Sequence, residues 1–318
     1  MSAPDKAAPA DALPADVLRG TDGQEGANSA APIPSLTDLA ALRALCVRHG
    51  FTLSKGFGQN FIVNPGICPK MVEKAGINQE YGVLEIGPGV GVLTRELAAA
   101  AARVAAVELD ERLFPLLRET LAGYENVRVI PGDAMKLDLA ALIRREFAGL
   151  RVAVCANLPY YITSPLLMRL LEERLPVESI TVMVQKEAAE RLCAAPGSRA
   201  AGAISCAVSY YAQPKLLFTV QPGSFYPPPK VTSAVIRLQL REAPPVDTPD
   251  EAGFFRLVRA AFGQRRKAAA NSISAGLGLP KPQVTAAMQT AGLSPLARPE
   301  QLALADFCAL QRALGGTL

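Results

Sequence analysis

A mostly parallel, doubly wound α/β sheet with an antiparallel edge strand and a small C-terminal helical domain is the fold class predicted for this chain. Three observations predict it. From Tyr81 onward, short apolar runs alternate with helix-patterned segments, the rhythm of βαβ units. The apolar runs are continuous, as strands buried on both faces require. After a Pro-rich stretch, "REAPPVDTPDE", the pattern is helical to the end of the chain.

Residues 1–34 are rich in Ala, Pro, Gly and Asp and poor in large apolar side chains, so they are expected to be a disordered extension. They hold no apolar signal core, and their acids outnumber their bases, which argues against a secretory or organelle leader. Order is expected to begin with "SLTDLAALRALCVRHG", a helix capped by Ser35 or Thr37 and closed by Gly50. Next come strand "GVLEIG", helix "LTRELAAAAA", strand "RVAAVELD", helix "ERLFPLLRETLA" and strand "VRVIPGD". Helix "LAALIRREFA", strand "RVAVCA", helix "LLMRLLEERL" and strand "SITVMVQKE" continue the series. "KLLFTV" and "KVTSAVIRLQL" lie close together, which predicts an antiparallel pair at one edge. The expected domains are the extension over 1–34, an α/β domain over 35–243 and a helical domain over 248–318.

Composition narrows the possibilities. Half of the 318 residues are apolar and 19% are charged, the profile of a globular protein. No run approaches the ~20 apolar residues of a membrane helix, so no membrane association is expected. The six cysteines are scattered without a C-x-x-C pair, which fits reduced, buried thiols and no metal site. The one histidine, His49, sits at a helix end, so chemistry based on histidine is not expected. The net charge is only +4, but between Glu251 and Ala270 one acid faces five bases: Arg256, Arg259, Arg265, Arg266 and Lys267. That cluster reads either as a solvated helix face or as a contact for a phosphate backbone.

Ligand-binding residues gather where strands end. The first strand of the series leads into "EIGPGVGVLT", with Gly87, Gly89 and Gly91 before a helix that opens near Val92. Glycines let the backbone approach a ligand closely, and the helix start offers free N–H groups. The spacing is G-x-G-x-G, and Val92 occupies the position of the third glycine in a dinucleotide fingerprint. The next strand ends at Glu108, placed to bind both hydroxyls of a ribose. Asp133, with Ala134 beside it, ends the third strand, where an acid can accept from an adenine amino group. A nucleoside without pyrophosphate fits this set, and S-adenosylmethionine is such a molecule.

The fourth strand ends in "NLPYYITSP". Ser164 and Pro165 have the residue types of an N-cap and first helical position. Asn157, Leu158, Pro159 and Tyr160 form the exposed corner. Pro159 biases Leu158 to an extended conformation that turns its carbonyl away from the strand. Two N–H bonds of an exocyclic amine, accepted by the Asn157 side-chain oxygen and the Leu158 carbonyl, favour a pyramidal nitrogen with an available lone pair. Tyr160 supplies a face on which an extruded base can stack.

With these motifs in order, the chain resembles the ribosomal RNA small-subunit adenine dimethyltransferases, the bacterial KsgA family. The resemblance covers roughly 36–318 and rests on "KGFGQNF", "EIGPGVGVLT", "VELD", "GDAM", "NLPYYITSP", "VQKEAAERL", "SFYPPPKVTSAVIRL" and "AAFGQRRK". It implies a Rossmann-like class I methyltransferase sheet. It also implies dimethylation at N6 of two adjacent adenosines, in a hairpin loop near the 3′ end of 16S ribosomal RNA. The substrate implied is a small-subunit assembly intermediate, and the enzyme a cytoplasmic monomer. Cofactor contacts carry over to Asn60, Ile62, Gly87, Glu108, Asp133 and Asn157, and Phe225 is implied to face the target adenine opposite Tyr160. Some members have Asn where this chain has Tyr161, whose role stays open. Two other readings are a large-subunit RNA methyltransferase of the same superfamily and an assembly factor that does not methylate. Pro88 and Pro227–Pro229 argue against the first; Asn157, Glu108 and Asp133 argue against the second.

Overall fold

The computed structural model describes residues 18–19, 35–53, 58–264 and 266–315. Its centre is an eight-stranded sheet of order β1-β5-β4-β3-β6-β7-β10-β8. The strands are β1 (Leu18–Arg19), β3 (Tyr81–Ile86), β4 (Arg103–Glu108), β5 (Val127–Pro131), β6 (Arg151–Asn157), β7 (Ser179–Gln185), β8 (Ala212–Val220) and β10 (Ser233–Leu240). A separate two-stranded sheet pairs β2 (Phe61–Ile62) with β9 (Phe225–Tyr226). Strands β5, β4, β3, β6 and β7 are parallel, and β10 runs antiparallel between β7 and β8. The expected edge pair is therefore present. Within the extension expected to be disordered, Leu18 and Arg19 pair antiparallel with Val129 and Arg128. The other residues up to 34 lie outside the described ones.

Strand periodicity divides the core into two layers. Leu84, Ile86, Val152, Val154, Ile180 and Val182 point to one side, where they meet helices α5 (Leu139–Glu146), α6 (Thr163–Glu172) and α8 (Ala203–Tyr211). Val83, Val104, Ala153, Cys155 and Met183 point to the other, under α1 (Leu39–Arg48), α2 (Ile67–Ala75), α3 (Val92–Ala100) and α4 (Phe114–Thr120). Crossover helices on both faces put every parallel strand's carboxyl end along one edge, and the site is built there.

Helix ends refine the expected boundaries. Asp38, rather than Ser35 or Thr37, caps α1 by accepting from the Ala41 N–H at 2.8 Å. Gly50, in a left-handed conformation, follows its last turn as expected. Helix α6 begins at Thr163, so Ser164 and Pro165 lie inside its first turn and Ser164 is not the cap. Pro165 costs no hydrogen bond there, because first-turn N–H groups have no partner within the helix.

Short α7 (Lys186–Leu192) follows β7, and α9 (Glu251–Phe262), α10 (Ala269–Leu277), α11 (Lys281–Thr290) and α12 (Leu304–Ala313) form the C-terminal helical unit. An aromatic joint attaches that unit to α8. Tyr210 stacks on Phe254 at 5.5 Å and Tyr211 on Phe255 at 5.4 Å. Both tyrosine hydroxyls donate to Glu251, at 3.1 and 2.7 Å, and Arg174 pairs with the same carboxylate.

Candidate active site

The carboxyl ends of β3, β4, β5 and β6 open into one cavity. Asn60, Ile62, Gly87, Gly89, Glu108, Asp133, Ala134, Asn157, Leu158, Pro159 and Tyr160 all line it. Residues distant in sequence converge because each parallel strand ends at the same edge. Residues 58–62, ending in β2, form a strap on its wall.

Gly87 begins the loop after β3 with φ +72°, a left-handed conformation that side chains resist. A Cβ built there would meet nothing within 4 Å, so the backbone faces open space. Glu108 is 7% exposed and accepts from the N–H groups of Asp110 at 2.8 Å and Gly89 at 3.3 Å. Burial pushes its carboxyl up to about 7, against the lowering effect of those N–H groups. Asp133 Oδ1 accepts from the Met135 N–H at 2.8 Å, which fixes the acid at the tip of β5.

The corner after β6 is held from several sides. The Leu158 N–H donates to the Met183 carbonyl on β7 at 3.2 Å. Asn157 Nδ2 donates to the Asn60 carbonyl at 3.3 Å, which commits the donor end of the amide and leaves Oδ1 as an acceptor. The hydroxyls of Tyr160 and Ser233 lie 2.6 Å apart, and burial raises the Tyr160 pKa. Ser233 is fully buried on β10, so the antiparallel strand anchors the tyrosine.

Phe225, expected opposite Tyr160, does not line the cavity. It is 3% exposed in β9, pairs with Ile62 and packs in the core layer under α1–α4. Pairing with the strap turns this side chain inward, so it supports Ile62 from behind. Of the basic cluster, Arg256, Arg259, Arg266 and Lys267 are exposed on or just after α9, away from the cavity lining, and Arg265 lies outside the described residues. Arg256 pairs with Asp250 at 3.6 Å. Lys55 of the "KGFGQNF" motif also lies outside the described residues.

Glu85 is the functional candidate without a role in the sequence reading. It is 1% exposed and lines the cavity, and its Oε2 has no hydrogen-bond partner among the described residues. Burial pushes its carboxyl up to about 8; the Thr94 hydroxyl lowers it and the Glu108 charge raises it. The signal was an acid inside an otherwise apolar strand, "GVLEIG".

This donor set tests the expected cofactor. Three acids, Glu85, Glu108 and Asp133, line the cavity, and no Lys, Arg or His does among the described residues. Such a lining offers a pyrophosphate no cation, whereas a positively charged ligand would favour the ionised form of the acids. S-adenosylmethionine, with its sulfonium and ammonium groups, fits.

The model of the family described as ribosomal RNA adenine dimethylase matches residues 50–314. The chain is 45% identical, over 282 residues, to a Shouchella clausii protein named ribosomal RNA small subunit methyltransferase A; the match covers 88% of this chain and 95% of that protein. Among solved structures, a dimethyladenosine transferase from Plasmodium falciparum superposes with TM-score 0.63 at 27% identity, covering 79% of this chain and 95% of that one. The 23S rRNA methyltransferase ErmE superposes with TM-score 0.61 at 26% identity, covering 80% and 99%. The chain belongs to the ribosomal RNA adenine dimethylase family.

Proposed function

We propose that this protein transfers methyl groups from S-adenosylmethionine to N6 of two adjacent adenosines in a hairpin loop near the 3′ end of 16S ribosomal RNA. Family membership supports ribosomal RNA adenine dimethylation. The observation that carries the reading at the site is the fixed corner of Asn157, Leu158 and Tyr160 beside an acid-lined cavity. The small-subunit substrate is favoured by 45% identity to the Shouchella protein, against 26% to ErmE.

When bound, S-adenosylmethionine supplies a methyl carbon made electrophilic by positive sulfur. Glu108 holds the ribose hydroxyls through carboxylate oxygens already oriented by the Asp110 and Gly89 N–H groups. Asp133 and Ala134 hold the adenine end, and Gly87, Gly89, Asn60 and Ile62 close around the remainder. Burial holds Glu85 mostly protonated below about pH 8, and a positive ligand beside it would favour its ionised form.

On the substrate side, Asn157 Oδ1 and the Leu158 carbonyl accept the two N–H bonds of adenine N6. Those bonds draw the nitrogen toward pyramidal geometry and localise its lone pair, which conjugation with the ring otherwise ties up. Tyr160, its hydroxyl held by Ser233, offers its ring to the extruded base. Positioning and electrostatics supply the rate enhancement, in accord with a lining that holds no histidine among the described residues. Arg256, Arg259, Arg265, Arg266 and Lys267 contact phosphates on the helical unit. The reading extends to a cytoplasmic monomer acting on a small-subunit assembly intermediate, as the family resemblance implies.

Asn157→Ala tests the corner. Removing one acceptor at the reacting nitrogen is expected to lower kcat by about 100-fold or more, while RNA binding measured by anisotropy is retained. Wild-type turnover in that variant would remove Asn157 from the mechanism.

A further inference from the structure

The two consecutive tyrosines after Pro159 have different surroundings. Tyr160 is half-buried and tied to Ser233. Tyr161 lines the same cavity, yet it is 57% exposed. One edge of its ring faces the Gly58 turn of the strap, with room between them for one carbon: a Cβ built on Gly58 would lie 3.5 Å from Tyr161 Cδ1. Gly58 has φ +60°, so this turn of the strap is also one that side chains resist. The ring therefore lies beside the Gly58 turn while much of its surface faces solvent at the cavity.

A large exposed ring normally needs no explanation when it stands alone on a surface. Tyr161 does not stand alone, because the next residue back carries the ring assigned to the target base. We infer that Tyr161 is a stacking platform for the base adjoining the adenine that is being methylated. The inference rests on the proposed function. Extrusion of one adenine breaks the stack of the loop and leaves a neighbouring base with one face uncovered. Consecutive Cα atoms are about 3.8 Å apart, which keeps the two rings within reach of consecutive nucleotides. Every base has a π-face, so such a platform binds RNA without reading its sequence. The paired adenosines of the proposed substrate would exchange places on it: each in turn is the target while its partner is the neighbour.

The chain contains no tryptophan, so Tyr161→Trp confines indole emission to this one position. A hairpin RNA carrying the two adenosines is expected to quench that emission. Replacing a base next to the target with an abasic site should abolish the quenching while the RNA still binds by anisotropy. Tyr161→Ala is expected to raise KM for RNA about tenfold, with a much smaller fall in kcat, and Tyr161→Phe is expected to restore KM. If Tyr161→Ala instead weakens S-adenosylmethionine binding and leaves KM for RNA unchanged, the ring only supports the strap and the inference is overturned. The failures are distinguishable. A wild-type protein that methylates no ribosomal RNA overturns the proposed function. An active wild type with an unquenched Tyr161→Trp overturns the stacking role alone.

Discussion

Glu85 and Glu108 show what the cavity costs the fold. Both are buried acids, no Lys, Arg or His lines their cavity among the described residues, and burial pushes them up to about 8 and about 7. In each case the folded chain binds a proton more tightly than the unfolded chain does. Stability therefore falls as pH rises from about 4.5, the ordinary carboxyl value, to about 8. Glu85→Gln removes the ionisable member with an unpartnered oxygen. In urea unfolding that variant is expected to be more stable than wild type at pH 8, by up to a few kcal/mol, and to differ little near pH 5. Curves that shift in parallel at both pH values would refute this account of Glu85. A bound cation is the natural compensation, so wild type should regain that stability with S-adenosylmethionine.

At the scale of elements, α9 carries the helical unit, and its start is well defined. Asp250 accepts from the N–H groups of Ala252 at 3.1 Å and Gly253 at 2.8 Å, and its carbonyl accepts from Gln311 on α12 at 2.6 Å. Asp250→Ala keeps the carbonyl but removes the cap, so a destabilisation of about 1 kcal/mol is expected in chemical denaturation. A change near zero would mean that the aromatic joint alone sets the helix start. The long elements were legible in the sequence because burial on both faces leaves a continuous apolar run. Cavity-lining Gly87, Glu108, Asp133 and Asn157 were legible for a related reason: a polar residue or glycine that ends such a run has few structural uses. Short elements were not. The two-residue pair β2–β9 has no periodicity, so nothing in "SFYPPPKV" told that Phe225 turns inward against Ile62. Asp38 outcompeted Ser35 and Thr37 as a cap, because only its side chain stands where the first free N–H groups of α1 point. Glu85 was visible as an odd residue in its strand, but its role depends on a cavity that only folding creates.

Across the whole molecule, the cavity and the exposed bases sit on different units, joined by Tyr210, Tyr211, Phe254, Phe255 and Glu251. RNA that reaches both must span the joint, so phosphates held on α9 would orient the loop at the Asn157 corner. Neutralising Arg259, Arg266 and Lys267 together is expected to weaken RNA binding and to flatten the dependence of log K on log salt. The slope should fall by roughly 0.7–0.9 for each phosphate no longer neutralised by the protein. An unchanged slope would return those side chains to a solvated face. The central claim, N6 dimethylation of adjacent adenosines, is tested most directly by mass spectrometry of small-subunit RNA. Small-subunit particles carrying unmethylated 16S RNA, incubated with this protein and S-adenosylmethionine, should gain four methyl groups, as two neighbouring N6,N6-dimethyladenosines in one loop fragment. No mass gain in that fragment, with methylation absent or directed to large-subunit RNA, would contradict it.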